Sequence, residues 1–138
     1  MGVGGEFDTG ASANVMSNAE AARRLLAVLG EGDVEAFTEL IDPQVEIHTA
    51  RGVRHGVDEA RRWAARKFEH LQRRYVVDEI QEAGDRVVVL ARVRYVWRES
   101  EEIGGEWLLG LVLEFHHGKL RRWRVYDDPI EALEELET

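Results

Sequence analysis

The chain has 138 residues, enough for one core of ordinary size and too few for two. Its 27 acidic against 18 basic residues give a formal charge of -9, which repels phosphate backbones and sets nucleic acid aside as a partner. There is no cysteine, so disulfides, thiolate zinc sites and cysteine nucleophiles are excluded, and with neither a cleavable leader nor a membrane-length apolar run the expectation is a soluble, cytoplasmic protein with no membrane partner.

Residues 1–16 are rich in Gly, Ser, Ala and Asn and read as a disordered arm, leaving residues 17–138 as the folded domain. Ser17-Asn18-Ala19-Glu20 opens a helix with a capping box, and Ala22, Leu25, Leu26 and Leu29 follow on one face until Gly30 and Gly32 end it. Asp33 caps a second short helix through Phe37, Leu40 and Ile41, stopped by a turn at Asp42-Pro43. Val45 to Thr49 alternates as a short strand, Arg51 to Gly56 is a loop, and a third helix runs from about Asp58 to Leu71 on a stripe of Ala60, Trp63, Ala64, Phe68 and Leu71.

From Tyr75 onward the apolar period becomes two. Strands are expected at Tyr75–Glu82, Arg86–Arg98 and Glu106–His116, with turns at Gly84-Asp85 and His117-Gly118. A last strand then carries Lys119 to Asp127, and Asp128-Pro129 caps a short closing helix in which Glu131 can complete a capping box. Helices first and a meander of strands afterwards define an α+β domain, a curved sheet covered on one side by helices.

The order α-α-β-α followed by a four-stranded meander resembles the NTF2-like or SnoaL-like cone fold (a cystatin-like α+β barrel), shared by ketosteroid isomerases, polyketide cyclases and limonene-type epoxide hydrolases. The resemblance spans about Asn18 to Leu136, and its most specific part is Gly-Lys-Leu-x-x-Trp-Arg-x-Tyr-x-Asp from Gly118 to Asp128. It implies that Trp123 faces inward. The catalytic aspartate of the epoxide hydrolases then falls at Val125, their Arg-x-Asp strand motif at Arg92 and Arg94, and their water-holding tyrosine and asparagine near Glu46 and His48. Both carboxylates of that triad are replaced, so epoxide hydrolysis by the family route is not expected. The general base of the ketosteroid isomerases falls close to His48, although neither their protonated aspartate nor the tyrosine donor of their first helix has a counterpart here.

This alignment implies an apolar cavity lined by Trp107, Leu109, Leu111, Leu113, Trp123 and Val125, on which Glu46, His48, Arg92, Arg94 and Asp127 converge. In the enzymatic reading His48 removes a proton beside a carbonyl, Arg92 or Arg94 stabilises the enolate, and Asp127 is a pocket acid: a cofactor-free isomerase or cyclase. In the plainer reading His48 is satisfied by a carbonyl, the arginines pair with Glu46 and Asp127, and the domain is a non-catalytic binding or dimerisation module. The ligand expected is an apolar small molecule with a carboxylate or carbonyl. No metal is expected, since the histidines show no ligand spacing.

One orientation decides these roles. Val87, Val89, Ala91, Val93, Tyr95 and Trp97 form one wholly apolar strand face, while Arg92 and Arg94 lie on the other. If the helices cap the arginines, the apolar face is left outside and predicts a homodimer through the outer sheet. The competing orientation buries the apolar face under the helices, leaves the arginines in water and requires no dimer.

Overall fold

The computed structural model describes residues 17–49, 51–65 and 71–136. The expected N-terminal arm, and Phe68 of the third helix's stripe, lie outside the described residues. Helices α1 (Asn18–Glu31), α2 (Val34–Glu39) and α3 (Gly56–Ala65) precede or interleave with strands β1 (Ile41–Thr49) and β2 (Gly52–His55). Strands β3 (Leu71–Ala83), β4 (Arg86–Trp97), β5 (Ile103–His116) and β6 (Lys119–Tyr126) follow, and α4 (Pro129–Glu134) closes the chain.

Three helix starts follow their capping residues. Ser17 and Glu20 form the capping box of α1, and Gly32 ends it in the left-handed region at φ 73°. Asp33 accepts the Ala36 amide to start α2, and Asp128 accepts the Ile130 amide at 2.9 Å to start α4.

The six strands form one curved, open sheet in the order β2-β1-β6-β5-β4-β3, with β1 and β6 parallel and every other neighbouring pair antiparallel. Several boundaries differ from the sequence expectation. Ile41 opens β1 rather than closing α2, and Pro43 lies inside that strand, where the pairing with β6 shifts between Ile41 and Glu46. Proline donates no ladder hydrogen bond, and such an irregularity accommodates it. The expected loop at Arg51–Gly56 contains the edge strand β2, and Leu71, assigned to the third helix, begins β3.

Helix α1 lies across β3 and β4, and α3 across β1. Leu25, Leu26 and Leu29 of α1, with Phe37 and Trp63, meet Val87, Val89, Ala91, Leu111, Leu113 and Trp123 of the sheet in one buried cluster. The apolar face of β4 is therefore the face under the helices. This overturns the orientation that placed Arg92 and Arg94 there, and the reason is energetic. Burying valine and leucine area gains roughly 25 cal/mol per Å², whereas a buried guanidinium costs several kcal/mol unless paired. The argument for a homodimer through an apolar outer sheet goes with that orientation. On the reverse face a smaller cluster forms where α4 lays Ala132 against Val88 and Val112.

Candidate ligand cavity

Registers fix which side chains share the helix-covered face. Val93 is paired with Tyr75 on one side and Trp107 on the other, Leu111 with Val125, and Leu113 with Trp123, which in turn is paired with Ile47 of β1. A cavity of about 190 Å³ opens between these strands and α3, lined among others by Thr49, Trp63, Arg73, Tyr75, Leu111 and Trp123. A wider cavity of about 680 Å³ adjoins it, sharing Val93, Tyr95 and Leu109 and adding Trp97, Trp107 and Asp127.

The inner end is an aromatic corner. Trp63 meets Trp123 edge-on at 5.1 Å between ring centroids, Tyr75 meets Trp123 edge-on at 6.3 Å, and the Arg73 guanidinium stands 5.5 Å from the Trp63 ring centre. Trp123 is 1% exposed, and its Nε1–H is buried without an acceptor among the described residues. An indole donor left so is costly, by about 1–3 kcal/mol, and it sits on a residue of the cavity wall. Burial pushes the Tyr75 phenol above its ordinary value against the opposing pull of Arg73, so the hydroxyl stays protonated and able to donate. The inner end thus offers hydrogen-bond donors and a cation, while the carboxylate of Asp127 stands at the outer cavity.

Of the residues expected at the site, Leu109, Leu111, Trp123 and Val125 line the inner cavity, Trp107 and Asp127 the outer one, and Leu113 is packed in the core. The expected convergence of Glu46, His48, Arg92 and Arg94 with them does not occur. Glu46 and His48 are paired with Arg122 and Arg124 of β6, on the face opposite Ile47 and Trp123. There His48 Nε2 lies 3.0 Å from Glu46 Oε1, and Arg122 Nε lies 3.4 Å from the same oxygen while Nη1 reaches Glu114 at 3.3 Å. Glu46 therefore pairs with His48 and Arg122 rather than with Arg92 or Arg94. Arg92 makes a two-pronged contact with Asp78, at 3.1 and 2.8 Å, and Arg94 pairs with Glu106, so neither uses Glu46 or Asp127.

Side chains alternate along a strand, and Thr49, Val93 and Tyr95 line the cavity where His48, Arg92 and Arg94 were expected. Arg73 and Tyr75 were missed as site residues. The sequence signal that finds them is the period-two match of Arg73, Tyr75 and Val77 to the apolar face of β4, visible once β3 is begun at Leu71. Among the described residues no group of three or more histidine, aspartate or glutamate side chains is placed to hold a metal ion.

An open curved sheet with helices over one face and a cavity between them is the cone architecture. The SnoaL-like domain model matches residues 22–123, and the chain belongs to that family. Solved structures share the fold. An NTF2-like protein of unknown function from Cytophaga hutchinsonii superposes with a TM-score of 0.68 at 14% identity, covering 87% of this chain and 97% of that one. An LEH-like epoxide hydrolase of M. tuberculosis gives 0.68 at 15% identity, over 87% and 89%. A protein of ketosteroid isomerase-like fold from Catenulispora acidiphila, solved with trimethylamine, gives 0.68 at 15%, over 80% and 86%. No curated protein matches the chain in sequence.

Proposed function

We propose that this SnoaL-like domain binds an apolar small molecule bearing an oxygen acceptor, held in the cone between the sheet and α3. The observation that carries the reading is the Trp123 Nε1–H, buried on the cavity wall without an acceptor. A carbonyl or carboxylate oxygen that reaches this donor as the side chains closing it off shift aside completes it, and the aromatic and aliphatic walls take the rest of the molecule, the usual composition of a small-molecule site.

Binding is preferred to proton transfer by His48. An isomerase or cyclase of that design needs His48 and Arg92 at the ligand, and both lie on the other face of the sheet. Of the expected catalytic set, Asp127 alone borders a described cavity, so any acid–base chemistry in the cone would run through it. Pairing of two copies through the outer sheet face would bring together Arg92, Arg94, Asp78 and Glu106, with the exposed Leu108 beside them.

A thermal-shift screen with apolar carbonyl compounds and carboxylates tests the reading, because a ligand specific for the native state raises its melting temperature. Trp123→Phe keeps an aromatic ring and removes the donor. The expected result is binding weakened about tenfold, the worth of one hydrogen bond. Unchanged affinity in Trp123→Phe would remove the indole from the site.

A further inference from the structure

Resting on that reading, we infer that the ligand is an apolar carboxylate, whose anionic head enters the inner cavity against Arg73, Tyr75 and Trp123 and whose body fills the outer cavity. Three observations support a charged head over a neutral carbonyl.

The first is a cation on the cavity wall. Four arginines on the reverse face of the sheet are matched to carboxylates, Arg92 to Asp78, Arg94 to Glu106, Arg122 to Glu46 and Glu114, and Arg124 to Glu135. Arg73 has no carboxylate partner among the described residues, and its recorded neighbours are the Trp63 ring and Tyr75. In a chain of formal charge -9, where carboxylates outnumber cations, an arginine on a cavity wall with no carboxylate partner among the described residues offers its charge to a ligand. A guanidinium beside a phenol and an indole supplies several donors to one anion, and such charge-assisted bonds are about twice as strong as neutral ones.

The second observation is size. At about 190 Å³ the inner cavity is smaller than the roughly 300–1,000 Å³ of a whole ligand site, whereas the adjoining cavity of about 680 Å³ falls within that range. The inner part suits one end of a molecule. Its donors sit there, and the broad apolar wall of Trp97, Trp107 and Leu109 belongs to the outer part.

The third is polarity along the cone. Arg73 marks the inner cavity and Asp127 the outer one, so the field favours an anion inward and opposes one lodged at the outer end. A carboxylate ligand therefore has one favoured direction of entry.

The test compares matched acid and amide pairs: 2-naphthylacetate with its primary amide, 4-phenylbutyrate with its amide, and octanoate with its amide. Binding to the full chain is measured by calorimetry at neutral pH. The acids should bind 10–100-fold more tightly than their amides, and Arg73→Met should abolish that preference by weakening the acids more than the amides. Arg73→Lys should restore part of the preference, which separates loss of charge from loss of packing on Trp63. Amides binding as well as acids would overturn the carboxylate assignment and leave the cavity reading intact. If no member of any pair binds, the cavity reading fails and the assignment falls with it.

Discussion

Glu46 shows how a residue with the right chemistry serves the scaffold rather than a ligand. Its carboxylate is held below the ordinary value of 4.5, first by its hydrogen bond with His48 and then, against the cost of burial, by the Arg122, His48 and Arg121 charges. A depressed carboxylate stabilises the fold above the unfolded-state value, and that stability is lost as pH falls through the folded value. Glu46→Gln should therefore lower unfolding stability by about 1 kcal/mol near neutral pH, with the gap to the parent protein closing as pH falls below the ordinary carboxylate value of 4.5. Urea unfolding at a series of pH values measures this. A gap independent of pH would mean that the carboxylate charge is not what Glu46 contributes. The same network explains why His48 resembles a base in the sequence: an imidazole next to a carboxylate is equally the signature of an ion pair.

At the scale of elements, the docking of α4 depends on one glycine. A Cβ built on Gly110 would lie 2.4 Å from the Ala132 Cβ and 3.4 Å from the Pro129 Cα, and Ala132 is wholly buried. Gly110→Ala should push α4 off Val88 and Val112 and cost about 1–3 kcal/mol. A lowered melting temperature with an unchanged cavity affinity is expected, because the clash is on the reverse face. Most of this architecture was legible in the sequence. Caps at Ser17, Asp33 and Asp128, the turn at Gly84-Asp85 and the apolar alternation of β4 named the elements and their order. The edge strand β2 was not, since Gly52–His55 is short and mostly exposed and its pairing with β1 is a tertiary fact. Nor was the start of β3, where Arg73 has no propensity that outweighs the helical pattern preceding it.

For the whole molecule the deciding quantity is which sheet face the helices cover. The likeness of the closing strand places Trp123 inward, as observed, whereas the same likeness carries His48 and Arg92 inward and the register puts both on the opposite face. Apolar burial overrode the motif. The valine ladder of β4 had one favourable place, beneath α1, and every polar residue alternating with it went to the other side. A fold that hosts many reactions is recognised by its frame, and the residues on its inner wall have to be read from register rather than from likeness. Here the wall is aromatic, with donors and a cation at its inner end, the composition on which the proposal of an oxygen-bearing apolar ligand rests.

The most direct measurement is a titration of the isotopically labelled protein with 2-naphthylacetate, followed through assigned backbone amide and indole N–H resonances. The cone reading predicts that the Trp123 indole signal moves together with the amides of Tyr75, Val93 and Leu111, while those of Glu46, His48 and Arg92 stay in place. Movement concentrated at Glu46, His48 and Arg92, with the Trp123 indole still, would put the ligand on the opposite side of the sheet and contradict it.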